Sequence, residues 1–104
     1  MRKAVIDLGT NTFNLLIAEV DGNRFNTIIS TKIGVALGMG GILEHRISPE
    51  AFDRGMSALK EFKELCDEHE VKTIIAIGTS ALRDASNGQE FRSRALDEIG
   101  RAHV

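Results

Sequence analysis

The sequence predicts an α/β fold with the element order βββαβα. Three observations carry this expectation: apolar, β-branched runs bounded by turn residues up to residue 33, one long helical-period stripe after the only proline, and a second β-branched run followed by another helical stretch. Ala4, Val5 and Ile6 read as the first strand. Residues 13–20 read as the second. Residues 24–33, rich in Thr and Ile, form the third, and Asp21-Gly22-Asn23 between them is a hairpin turn signal. The first strand is expected to join that hairpin. Residues 34–41 hold four glycines and read as a connection, with a loop lying over a cleft as the alternative. Ser48 and Pro49 are a helix cap and first helical position. The helix is expected to run to about His69, with Phe52, Met56, Leu59, Phe62 and Cys66 as its apolar stripe and Lys60, Glu61, Lys63, Glu64 and Asp67 facing water. Residues 73–77 form the fourth strand, and the chain then turns helical toward Gly100.

Composition bounds the function. The 104 residues are 42% hydrophobic and 27% charged, enough for one modest core. A formal net charge of −2, with no basic stripe interleaved with aromatics, argues against a reader of nucleic-acid grooves. No apolar run reaches the length of a bilayer span, and Met1-Arg2-Lys3 leads into a strand pattern instead of a signal segment, so neither membrane nor export is expected. Cys66 is the single cysteine and reads as a core residue. It excludes an internal disulfide and points to a reducing, cytoplasmic compartment. His45, His69 and His103 are scattered over polar segments and give no zinc spacing.

Chemistry concentrates at two strand ends. In Ile6-Asp7-Leu8-Gly9-Thr10-Asn11-Thr12-Phe13, one carboxylate, a glycine and three hydroxyl or amide side chains lie between two apolar runs. Gly9 lets the backbone bend and a bulky anion approach its N–H, and Thr10, Asn11 and Thr12 add side-chain donors to the consecutive backbone N–H groups of the turn. An ordinary hairpin loop uses the same residue types. The second segment is Gly78-Thr79-Ser80-Ala81-Leu82-Arg83, followed by Asn87-Gly88. Thr79 or Ser80 caps whatever helical turn follows, and Arg83, about one turn on, is placed to clamp a phosphate with its guanidinium. A surface ion pair with Asp84 is the competing account of Arg83.

Both segments resemble the exopolyphosphatase/guanosine pentaphosphate phosphohydrolase family. So do Val35-Ala36-Leu37-Gly38, Gly41-Ile42 and Ser48-Pro49-Glu50-Ala51-Phe52-Asp53-Arg54-Gly55, in the same order, over residues 1–97. The resemblance implies a ribonuclease-H-like half-domain with a mixed sheet, of the actin-like or sugar-kinase-like ATPase superfold. It also implies a phosphohydrolase using Mg²⁺, with Asp7 near the metal. Gly9, Thr10, Asn11, Thr12, Thr79, Ser80, Arg83 and Asn87 are then phosphate-binding. The implied substrate is inorganic polyphosphate or guanosine pentaphosphate, and family members are often homodimers. Ala36 departs from the family, where many members carry Lys or Arg. Two alternatives share the superfold: a non-catalytic nucleotide- or polyphosphate-binding module, and a sugar or acetate kinase.

The family's glutamate-bearing catalytic segment and its Asp-Gly-Gly-Gly loop have no counterpart in these residues, so no catalytic base is expected here. Residues 1–97 are expected to be the N-terminal part of the first actin-like domain. Glu98-Ile99-Gly100-Arg101-Ala102-His103-Val104 also matches the translation of a common sequencing adapter. Residues 98–104 are therefore expected to be a non-native tail, and the fragment to be inactive by itself.

Overall fold

The computed structural model describes residues 1–37, 46–78 and 85–100, together with the backbone of residues 102–103. Strands β1 (Arg2–Leu8), β2 (Thr12–Asp21) and β3 (Arg24–Gly34) precede helix α1 (Pro49–Glu68), strand β4 (Thr73–Gly78), helix α2 (Gly88–Ile99) and strand β5 (Ala102–His103). The sheet order is β3-β2-β1-β4-β5. β1 runs antiparallel to β2 and parallel to β4, so the sheet is mixed as expected.

Local sequence explains each element. The Asp21-Gly22-Asn23 signal closes the β2–β3 hairpin, with Gly22 in the left-handed region at φ +62°. α1 starts where Ser48 accepts the Ala51 N–H on its hydroxyl at 3.2 Å, with Pro49 behind it in the first turn. It ends at Glu68, against the expected His69, which caps it. Its buried stripe is Ala51, Phe52, Gly55, Ala58, Leu59, Phe62 and Cys66. Met56 is only half-buried, because that position falls to the edge of the helix face.

Alternation sorts the sheet into two faces. On β1, Ala4, Ile6 and Leu8 are buried, as are Phe13, Leu15 and Ile17 on β2 and Ile74 and Ala76 on β4. These residues form one core with α1 and α2. Phe91 on α2 lies at its centre. Its ring meets Phe52 edge-on at 5.0 Å and Phe13 at 6.1 Å.

Two differences from the expected order have physical reasons. Gly34 belongs to β3 instead of the loop, because it pairs with Thr12. A two-residue strand, β5, adds to the predicted six elements: Ala102 and His103 pair parallel with Ile74 and Ile75, on a β4 edge that offers unpaired backbone groups. Just before it, Ile99 is fully buried at the end of α2.

The helices approach closely because residue 55 has no side chain. A Cβ at Gly55 would come within 2.7 Å of two atoms of the Phe91 ring, which Phe13 and Phe52 hold in place. Gly55→Ala is therefore expected to lower stability by about 1–3 kcal/mol through overpacking. Urea unfolding of this variant beside Ser57→Ala, an exposed position on the same helix, checks it; equal midpoints would refute the tight contact.

Candidate functional site

β1 and β2 are joined by a turn of four residues, 9–12, immediately after the Leu8–Phe13 pair. The Gly9 N–H donates to the Thr12 carbonyl at 3.1 Å, so this amide closes the hairpin and is engaged within the turn. The same closure explains the glycine. A Cβ on residue 9 would lie 2.6 Å from the Thr12 oxygen, closer than any side chain tolerates.

The chain then returns to hold the turn from one side. The Val35 and Ala36 N–H groups both donate to the Asn11 carbonyl at 2.9 Å, and the Leu37 N–H donates to the Thr10 carbonyl at 2.7 Å. A trans peptide sets its N–H opposite its C=O. With the Thr10 and Asn11 carbonyls drawn toward residues 35–37, the N–H groups of Asn11 and Thr12 are directed to the other side of the turn. Two consecutive donors aimed the same way are the elements of an anion-binding concavity.

Arg54 secures residues 35 and 36 from α1. Its Nε donates to the Val35 carbonyl at 2.7 Å and its Nη2 to the Ala36 carbonyl at 3.1 Å. Ala36 holds φ +49°, a left-handed conformation that costs an ordinary residue about 1–2 kcal/mol. Arg54 is not among the candidate site residues read from the sequence. The one available signal was an arginine inside the family-like run ending at Gly55.

Asp7 is half-buried near the end of β1, paired in register with Asn14 of β2 and Ile77 of β4. It lies on the sheet face opposite the helices, two residues before Gly9. Among the described residues, no three His, Cys, Asp or Glu side chains group to hold a metal. A hard ion that keeps most of its waters needs less: Mg²⁺ is commonly held through one or two carboxylates plus substrate phosphate oxygens. The Asp7 carboxylate, beside a turn whose Asn11 and Thr12 N–H groups face away from residues 35–37, fits that requirement.

Asn87 has a demanding local task. Its Oδ1 accepts the Ile47 N–H at 2.8 Å, and its Nδ2 donates to the Ile47 carbonyl at 3.0 Å. The side chain consequently gives no cap to α2, which it precedes. It ties the entrance of α1 to the entrance of α2. An open cleft of about 200 Å³ lies there, lined in part by Arg46, Asp53, Asn87, Glu90 and Arg94. Two cations and two carboxylates balance each other across it, which gives no preference for an anion. Thr79, Ser80 and Arg83 lie outside the described residues.

A glycine turn closing a β-hairpin at the end of a mixed sheet, with a carboxylate at the central strand's end and two helices on one face, defines an actin-like, ribonuclease-H-like fold unit. The chain belongs to the Ppx/GppA phosphatase family, whose pattern matches residues 16–103. It is 37% identical over 106 aligned residues to exopolyphosphatase 2 of Mycobacterium tuberculosis, covering 97% of this chain and 33% of that protein. It is 36% identical to a guanosine-5'-triphosphate,3'-diphosphate pyrophosphatase of Pseudoalteromonas translucida, covering 93% of this chain and 20% of the relative. A crystal structure of an exopolyphosphatase from Cytophaga hutchinsonii superimposes with a TM-score of 0.92 at 44% identity, over 100% of this chain and 34% of the other. The chain thus spans between a fifth and a third of these proteins.

The Asn87 clamp carries a prediction. Asn87→Ala strands the Ile47 N–H and carbonyl in a part-buried site, and is expected to cost about 1–3 kcal/mol. Denaturant unfolding of residues 1–104 measures it. A loss under a few tenths of a kcal/mol would mean that the clamp does not hold the two helix entrances together.

Proposed function

We propose that this chain forms the first phosphate-gripping wall of a phosphohydrolase that removes the terminal phosphate from inorganic polyphosphate or guanosine pentaphosphate. The observation that carries this reading is the strapped turn: residues 35–37 hold two carbonyls of the turn on one side, which commits the Asn11 and Thr12 N–H groups to the other. Relatives that match nearly all of this chain are an exopolyphosphatase and a guanosine-nucleotide pyrophosphatase.

In this reading the terminal phosphate lies against the turn. The Asn11 and Thr12 N–H groups and the Thr10 and Thr12 hydroxyls donate to its oxygens. Thr79, Ser80 and Arg83 are assigned to the same phosphate through the family resemblance of their segment alone. Asp7 holds Mg²⁺, which when bound neutralises charge on the phosphate oxygens. Hydrolysis forms a bond from water oxygen to the terminal phosphorus and breaks the bond to the bridging oxygen, which leaves on the shortened chain. Holding the anhydride in line is this chain's contribution. The base that orients the water is expected in the two thirds of the relatives that these residues do not match. We place the protein in the cytoplasm, on the strength of a single, buried cysteine that forms no disulfide. Among the described residues, no helix is long and apolar enough to cross a membrane.

The test is a chimaera in which residues 1–104 replace the matching third of the Cytophaga hutchinsonii exopolyphosphatase, assayed for Mg²⁺-dependent phosphate release from polyphosphate. Activity is expected from the chimaera and none from residues 1–104 alone. Metal-dependent release by residues 1–104 would overturn the division of labour.

Within the chimaera, Asp7→Asn is expected to lower turnover at least roughly a hundredfold at saturating Mg²⁺ with little change in melting, because it removes the metal-holding charge. Wild-type turnover would refute that role. Arg83→Lys keeps the charge and loses the planar fork, so polyphosphate affinity is expected to fall roughly tenfold. An unchanged dissociation constant would instead mark Arg83 as a surface residue.

A further inference from the structure

We propose that the free edge of β3 pairs antiparallel with the β3 of a second copy of this chain, across a two-fold axis that passes between Ile28 and Ile29. β3 is the outer strand of the sheet and, at 11 residues, its longest. Among the described residues no strand lies beyond it, so its outward N–H and C=O groups are left without a ladder. Edges of this kind are commonly blunted by charge or proline. Residues 25–31 carry neither.

A bulge sets the register of the pair. Ile29 lies opposite Ile17 of β2 and Thr27 opposite Ala18, which leaves Ile28 as an extra residue. Alternation changes phase there. Arg24 and Asn26 share the face toward α1 with Ile29, Thr31 and Ile33, while Phe25 and Thr27 share the other face with Ser30 and Lys32. Residues directly opposed in two paired strands lie on one face of the sheet. In a strand with such a change of phase, a two-fold partner meets that condition only if the axis falls between two residues instead of on one. Between Ile28 and Ile29, it overlaps residues 24–33 of both copies.

That register is self-complementary. Phe25, 61% exposed, falls opposite the partner's Lys32 and offers its ring to the ammonium group. Asn26 meets Thr31 and Thr27 meets Ser30, polar pairs of the kind that hydrogen-bond across strands. Charge selects a second copy as the occupant. A cavity of about 310 Å³ opens between the end of β3 and α1, lined in part by Ile33, Gly34, Asp53, Ser57 and Glu61. The partner's Arg24 falls opposite Ile33, on the face toward α1, and so reaches this cavity and its two carboxylates. Among the described residues Arg24, Asp53 and Glu61 enter no ion pair within one chain. Two-fold symmetry makes the contact twice, and no like charges are opposed. The inference rests on register and charge, and it stands whether or not the unit hydrolyses phosphate.

Sedimentation velocity tests it. Residues 1–104 and the chimaera described above are both expected to form concentration-dependent dimers. Arg24→Glu and Glu61→Arg are each expected to raise the dimer dissociation constant at least tenfold, and the double variant to recover it, because the charges are then exchanged in both contacts. Glu90→Arg, the same charge change at an exposed position on α2, is expected to leave pairing unchanged. Monomers at every concentration in both proteins would overturn the proposal. So would a dimer indifferent to Arg24→Glu and Glu61→Arg, because another surface would then hold it. A monomeric chimaera beside dimeric residues 1–104 would also overturn it, because the remaining polypeptide would then cover β3. Register has its own measurement. Thr27→Cys and Ser30→Cys, both exposed, are oxidised with copper phenanthroline singly and mixed, the native Cys66 being buried. A disulfide-linked dimer is expected from the mixture and from neither variant alone. No cross-link in the mixture, or a cross-link of either variant to itself, would overturn the two-fold register.

Discussion

Everything proposed for the site depends on three backbone hydrogen bonds: from Val35 and Ala36 to the Asn11 carbonyl, and from Leu37 to the Thr10 carbonyl. A four-residue hairpin turn left alone has its carbonyls and amides free to rotate toward water. Fixing two successive carbonyls on one side fixes the following amides on the other, because each peptide is a rigid unit. Preorganised donors meet an anion without first giving up conformational freedom. The return segment is itself held, since Arg54 accepts the task of satisfying the Val35 and Ala36 carbonyls. Ala36 stays in a left-handed conformation that an alanine would otherwise leave.

That arrangement is transmitted to the core by a single step along the chain. Phe13 follows Thr12 and is fully buried against Phe91, which in turn packs on Phe52 and on the bare backbone of Gly55. Arg54, the neighbour of Gly55, reaches the segment that holds the turn. One turn of α1 thus sets both the spacing of the helices and the position of the strap. Helix packing and turn geometry are coupled through adjacent residues, so a change at Gly55 acts on the site without touching it.

How much of this was legible in the sequence depends on the range of the interaction. The β2–β3 hairpin, the α1 boundaries and the alternation of β1 follow from local patterns, and the structure reproduces them within a residue or two. Gly9 was legible as a required glycine, although the reason is the Thr12 carbonyl above it and its own N–H is committed to the turn. The strap was not legible, because its donors are backbone amides without a side-chain signature. Asn87 reads locally as a cap or a ligand; its partner, Ile47, is forty residues away, a pairing that only the packed helices create. β5 was missed for a related reason: two residues carry no period, and the pairing is offered by the open edge of β4.

The two faces of the sheet divide the work of the molecule. Alternation sends Ile6 and Leu8 toward the helices and Asp7 away from them, so the strand that anchors the core also presents its carboxylate on the opposite side. A carboxylate in the helix-packed core would face a large desolvation cost with no cation to offset it. At the end of β1, half-buried beside Asn14 and Ile77, it keeps contact with water while remaining fixed by the strand. The turn and Asp7 therefore meet at one end of the sheet, where the rigid β1–β2–β4 pairing positions both. The chemistry proposed for this chain is placed on the face opposite α1 and α2.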